Sequence, residues 1–177
     1  MMTMIDSLDE MVPVVTETGE ITGAATRGEC HGGSRLLHPV VHLHVVNSQG
    51  ELYLQKRPLW KDIQPGKWDT ACGGHVSLGE NVEMAIRREV EEELGMTDYE
   101  PVRITSYVFD SARERELVYV HITRYDGEVK PDREELDGGK FWSPAELQEN
   151  MGKGVFTPNF EQEYRDIVLP YLQGQKS

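Results

Sequence analysis

The segment GENVEMAIRREVEEELG (79–95) reads as a helix over 80–94, stopped by Gly95 in the usual position after a helix C-terminus. At about 100° per residue, Val82, Ala85, Ile86 and Val90 gather on one face. Glu89 and Glu93 fall inside that apolar arc and Glu92 lies on its edge, whereas Glu91 and Arg87 point the opposite way. A carboxylate directed inward needs a counter-charge or must give up its ionisation. Glu89, Glu92 and Glu93 stand at i, i+3 and i+4, close enough to share a divalent cation such as Mg²⁺ or Mn²⁺. The competing reading is a set of salt-bridged acids on an ordinary charged helix.

The elements around this helix point to one domain. Residues 12–27 read as a hairpin turning at 17–20, and 40–57 as two strands joined by a turn at Asn47–Gly50. GECHGGSRLLHP reads as a glycine-rich loop, and PLWKDIQPGKW as another. RITSYVFDS and RELVYVHITRY read as strands, followed by the polar loop DGEVKPDREELDGGK. Ser143 with Glu146, and Thr157 before Pro158, mark the starts of two further helices. Strands on both sides of a central helix predict an α/β fold, a mixed sheet covered by helices. Residues 1–10 form a tail and 11–177 the domain. Trp60, Trp142, Tyr107 and Phe156 are read as buried packing rather than as stacking platforms.

The net charge is −13, which argues against duplex nucleic acid as a partner because phosphate contacts need a basic patch. A small phosphorylated ligand remains compatible if a divalent cation bridges it to the carboxylates. No apolar run is long enough to span a bilayer, and the acidic start does not read as a signal peptide. Two cysteines form no disulfide framework, so a cytoplasmic setting is expected.

The helix and its approach also carry a pattern. From Gly74, five residues lead to Glu80 and seven more to Arg88; Glu89, Val90, Glu91, Glu92, Glu93, Leu94, Gly95 and Met96 follow. This resembles the complete Nudix box, with nine defining positions met over residues 74–96. The resemblance implies an α/β/α sandwich with the box as loop–helix–loop, and hydrolysis of a nucleoside diphosphate derivative or similar organic diphosphate. Carried over, Glu89, Glu92 and Glu93 would be catalytic metal ligands. Arg88 would hold a box carboxylate, Glu80 would support the loop, and Gly74 would let the backbone approach the metal. The general base stays open between Glu93 and an acid outside the box. A homodimer is the family-level expectation.

A second constellation resembles one branch of that family, the type I isopentenyl-diphosphate isomerases. His31 and His38 have six residues between them, His75 follows the glycine that opens the box, and Glu114 and Glu116 alternate onto the strand side of Val118 and Val120. The resemblance implies a second divalent metal on these five residues, with imidazole and carboxylate ligands. Arg27, Arg57 and Lys61 match its diphosphate-binding cations, and similarity runs from about residue 14 to about residue 120. The isomerase's catalytic cysteine, however, falls at Gly73; Cys72 is one residue early, which in extended chain turns the side chain to the other face. The isomerases also lack most of the box acids, all present here. The expectation is therefore an isomerase-like Nudix hydrolase with Cys72 as packing. A prenyl-diphosphate isomerase and a non-catalytic diphosphate-binding module are the alternatives.

Overall fold

The computed structural model describes residues 9–59, 65–131 and 138–174. Lys61 and Trp60 lie outside the described residues. Among the described residues, nine strands and five helices are ordered β1 (Met11–Val15), β2 (Ile21–Thr26), α1 (Arg27–His31), β3 (Leu37–Val46), β4 (Leu52–Lys56), β5 (Trp68–Thr70), β6 (Cys72–His75), α2 (Val82–Leu94), β7 (Val102–Asp110), β8 (Arg115–Arg124), β9 (Gly139–Trp142), α3 (Pro144–Asn150), α4 (Pro158–Glu163) and α5 (Leu169–Gly174), the last two joined by a π-helical turn, Tyr164–Val168. None of these helices is long and apolar enough to cross a membrane.

β3 is the centre of the mixed sheet. Its run LHPVVHLHVV is β-branched and buried on both faces, as a central strand requires. It pairs in parallel with β8 from Leu37↔Arg115 to Val46↔Arg124, and antiparallel with β6 from Val40↔His75 to Leu43↔Cys72. β7 extends the sheet beyond β8, and β4, with β5 and β9 beside it, extends it on the other side. β1 and β2 form a separate hairpin. The turn between β3 and β4 is made by the Asn47 side chain, whose oxygen accepts from the Gln49 and Glu51 amides at 3.1 and 2.9 Å.

Because side chains alternate along a strand, the sheet has two chemically distinct faces. Val41, Leu43 and Val45 of β3 pack under α2 against Ala85, Ile86, Val90 and Leu94. The other face carries His38, Val40, His42 and His44, and towards its far end Phe160, Tyr164 and Val168 close the core over Val46, Leu54 and Ile122. Helix, sheet and helix form the expected α/β/α sandwich, and Trp142 and Phe156 are core residues as read from the sequence.

Several boundaries differ from the sequence reading. α2 begins at Val82, not at residue 80: Asn81 accepts from the Met84 amide at 2.8 Å and caps the helix, leaving Glu80 in the preceding turn. Gly95 ends it in the left-handed conformation, φ 67°. Arg87 is not simply solvent-facing; its guanidinium lies 4.8 Å from the Tyr99 ring centroid and donates to the Tyr99 carbonyl at 2.8 Å. The expected loop GECHGGSRLLHP holds all of α1 but Arg27, the helix being started by a Thr26–Glu29 capping box, and the first residues of β3. The last two residues of the expected polar loop, Gly139 and Lys140, begin the short strand β9.

Candidate active site

β6 is where the two sets of candidate side chains meet. Its small residues let a strand run between the α2 layer and the opposite face of the sheet. Cys72 and Gly74 face α2; Gly73 and His75 face the other way. A Cβ placed on Gly74 would collide with the carboxyl group of Glu89, so glycine here is a requirement of close approach.

On the α2 side, Arg88 organises the carboxylates. Its Nε and Nη2 donate to the two oxygens of Glu80 at 2.7 and 2.8 Å, a bidentate pair. Nη1 donates to Glu89 Oε2 at 3.0 Å, and Nη2 to the His75 carbonyl at 3.1 Å. Glu92 Oε1 lies 3.7 Å from the same guanidinium, and its side chain is about half exposed. Hydrogen bonding to Glu80, with the charges of Glu89 and Glu80, holds Arg88 firmly protonated. Burial pushes the Glu89 carboxyl above its ordinary range, partly offset by Arg88. Glu93 turns inward towards Cys72, whose thiol is raised well above its usual value by burial and then by the carboxylates of Glu93 and Glu89. Cys72 is thus a packed, protonated thiol on the box side. Cys72→Ala is expected to lower stability by about 1 kcal/mol in urea denaturation, the scale of one small buried group. Turnover should stay within a few-fold of the parent; a collapse would give the thiol a catalytic part.

On the opposite face, His31, His38, His75, Glu114 and Glu116 come together. One ring nitrogen each from His31, His38 and His75 lie within 4.8 Å of one another, as do single ligand atoms of His38, Glu114 and Glu116. His31 Nε2 is 3.1 Å from His75 Nε2, and His31 Nδ1 is 3.0 Å from Glu114 Oε1. His38 donates through Nδ1 to the Leu36 carbonyl, 3.0 Å, which turns Nε2 inward. There it is buried without a hydrogen-bond partner among the described residues, 3.9 Å from Glu114 and from Glu116. Burial holds His38 low and His75 well below the ordinary imidazole range, so both offer a neutral nitrogen lone pair. Glu114 lies below its usual range: burial works against its charge, but hydrogen bonding to His31 outweighs it. Glu116 is raised to about 7 by burial and the neighbouring Glu114. Neutral imidazoles and carboxylates around an orphaned buried nitrogen make a donor set that fits a divalent cation.

Of the cations read as substrate-binding, Arg27 and Arg57 fall among the described residues. Arg27 reaches Glu10 at 3.4 Å, and its charge is felt at His31, His38 and His75. Arg57 pairs with Asp69 at 3.6 Å, and Asp69 also accepts from the Thr157 hydroxyl at 2.9 Å. A further cluster was not read from the sequence: Glu163, with a 1% exposed side chain, accepts from His42, His44 and Tyr107. Tyr107 is therefore more than apolar packing.

Comparison with known proteins places these features in context. The family model described as NUDIX domain matches residues 36–160. An uncharacterized Nudix hydrolase of Streptomyces coelicolor is 30% identical over 158 residues, covering 88% of this chain and 87% of its own. An isopentenyl-diphosphate Delta-isomerase of Brevibacterium linens is 34% identical over 166 residues, covering 89% and 91%. A Deinococcus radiodurans crystal structure superposes with a TM-score of 0.75 at 25% identity, covering 88% of this chain and 98% of that one.

Proposed function

The chain belongs to the Nudix hydrolase family, and from that premise we propose that it hydrolyses an organic diphosphate with Mg²⁺ or Mn²⁺ held by Glu89, Glu92 and Glu93. The observation that carries this reading is the organisation of the box by one guanidinium. Arg88 joins Glu80, Glu89 and the His75 carbonyl, while Gly74 leaves room for Glu89 beside the strand. A divalent cation bound there supplies a Lewis acid and lowers the pKa of water. The chain's own part is to fix the carboxylates: Arg88 orients Glu89 and stays within reach of Glu92, and Glu80 anchors Arg88 from the turn. Arg27, Arg57 and Lys61 form the diphosphate-binding cations of the proposal, and the domain is 11–177. His31, His38, His75, Glu114 and Glu116 would hold a second divalent cation. A cytoplasmic setting belongs to the same proposal, in keeping with the free, buried thiols of Cys30 and Cys72, as does a homodimer.

An isomerase is the second reading, favoured by the His/Glu cluster and by relatives of that name. Gly73 speaks against it, because no thiol stands on the cluster's face of β6 and Cys72 faces the box glutamates. The test is a panel of nucleoside diphosphates, nucleotide sugars and prenyl diphosphates with Mg²⁺ or Mn²⁺. Release of phosphate or nucleotide that stops on adding EDTA is the expected result. Allylic product from isopentenyl diphosphate without phosphate release would establish the isomerase instead, and tight binding with no turnover under either metal would establish a non-catalytic module.

A further inference from the structure

Glu10 stands last in the segment read from the sequence as a tail, yet it is tied to two parts of the proposed site. Its backbone carbonyl accepts from the Arg27 amide at 2.9 Å, and the next carbonyl, of Met11, accepts from the Leu78 amide at 2.9 Å. Its carboxylate divides in the same way. Oε1 accepts from Arg27 Nη1 at 3.4 Å, and Oε2 accepts from the Ser77 hydroxyl. Ser77 lies in the turn between β6 and α2, where its amide donates to Glu80 Oε1 at 2.9 Å and its hydroxyl oxygen lies 3.5 Å from Arg88 Nη2. One carboxylate thus joins Arg27, at the start of α1, to the turn that anchors Arg88.

For Arg27 the consequence is lost freedom. Its side chain is only 17% exposed. Cys30, buried with Val12 and Ala25, fixes α1 against the hairpin and with it the Arg27 backbone. Glu10 then holds the far end of the side chain. An unrestrained arginine gives up rotamer entropy when it grips an anion, whereas a held one has already given it up. The site this serves is close by: the charge of Arg27 bears on His31, His38 and His75, and the His75 carbonyl accepts from Arg88. The sign of the effect separates two roles for Glu10. A carboxylate acting only by its charge repels a phosphate and weakens its binding. A carboxylate that holds Arg27 in place strengthens it, and two donors on Glu10, one of them charged, offset its own repulsion.

We propose that Glu10 is a positioning residue for diphosphate binding: it holds Arg27 against the turn between β6 and α2, so that a substrate phosphate meets a guanidinium already ordered. Arg27 is the residue that contacts the phosphate. Glu10 acts through it, and Ser77 is the anchor that keeps Glu10 in place. The functional unit then begins before β1, at Glu10, and the strap formed by Glu10 and Met11 connects the α1 side of the site to the box turn.

This inference rests on the diphosphate-hydrolase reading with Arg27 as a binding cation, and a binding measurement separates the two. Methylenediphosphonate, an uncleavable diphosphate with no organic half, is titrated calorimetrically into the full chain with Mg²⁺. Glu10→Gln keeps the shape and removes the charge; it should weaken binding about tenfold, the scale of ordering one long side chain. Ser77→Ala should weaken it about threefold, because Glu10 then holds Arg27 without its anchor. In an Arg27→Gln background, itself weaker, adding Glu10→Gln should change binding by less than about twofold, since both substitutions remove one contact. A merely structural role would weaken binding alike in both backgrounds. Unchanged or tighter binding in Glu10→Gln, equal weakening in the two backgrounds, or no binding by the parent overturns the inference. If Glu10→Gln does not fold by circular dichroism, Ser77→Ala takes its place in the same cycle. Catalysis is read separately, on the diphosphate panel. Turnover together with probe binding that is indifferent to Glu10 overturns this inference alone. Probe binding that depends on Glu10, without turnover of any diphosphate, overturns the hydrolase reading alone.

Discussion

Glu93→Gln and Glu92→Gln should each lower diphosphate hydrolysis by about 10³-fold while leaving the circular dichroism spectrum and thermal midpoint nearly unchanged. A cation acting on phosphoryl oxygen supplies several kcal/mol of transition-state stabilisation, and each ~1.4 kcal/mol is tenfold in rate. Replacing one ligand oxygen by an amide keeps the shape and removes the charge that retains the cation. The structure supplies the reason the fold should survive: Glu92 is about half exposed, and the apolar anchors of α2 are Ala85, Ile86, Val90 and Leu94. Glu91→Gln is the matched control, because that side chain is exposed on the solvent side of the helix. Turnover with Mg²⁺ titrated over a wide range is the measurement, since a lost ligand also raises the metal requirement. Parental rates in both variants would remove the box from the mechanism.

Gly74→Ala should cost about 10²-fold in turnover, although it adds one methyl group to a residue that touches no substrate in the proposed site. The methyl would occupy the position of the Glu89 carboxyl. β6 cannot retreat easily, since Val41 and Leu43 hold its neighbours in register on one side. Glu89 must therefore rotate away, breaking its 3.0 Å bond to Arg88. Displacing a catalytic group by about 1 Å costs on the order of 10²-fold, and overpacking a tight contact costs about 1–3 kcal/mol of stability. The diagnostic is a second variant: Gly74→Ala combined with Glu89→Ala should recover the lost stability but not the activity. Full activity in Gly74→Ala would show that Glu89 need not lie against the strand.

What was legible in the sequence follows from how local the signal is. The box helix could be read because period, cap and breaker all lie within one segment, and the inward direction of Glu89 and Glu93 follows from geometry alone. The His/Glu set was legible only through its resemblance to the isomerase pattern, since each histidine alone reads as an ordinary polar residue; the structure brings all five side chains together. β6 and β9 were not read as strands because Cys72-Gly-Gly-His75 and Gly139-Lys-Phe-Trp142 have glycine where strand formers would stand; pairing with β3 and β4 makes them strands. The Glu80 boundary was missed because Asn81, a good cap, is itself followed by helix-forming residues. The His42–Glu163 contact joins β3 to α4 across most of the chain, and no pattern encodes such a partner. One part of it was nevertheless visible: His38, His42 and His44 are separated by four and two residues, even numbers that put them on one face of β3. Histidines repeated on the buried side of a strand call for a polar partner on whatever packs above them.

The parallel pairing of β3 with β8 sets the order in which this protein can be built. Leu37 waits for Arg115 and Val46 for Arg124, so the central strand of the sheet has no parallel neighbour while the first hundred or so residues leave the ribosome. Closing so large a loop carries an entropic cost that only later contacts repay, and chains dominated by such pairings fold slowly. The carboxylates of Glu114 and Glu116 arrive with β8, and Glu163 arrives later still, with the last helices. Before Glu163 arrives, His42 and His44 stand on an apolar strand without the carboxylate that pairs with them. A chain cut short before residue 163 would leave His42 and His44 in that state.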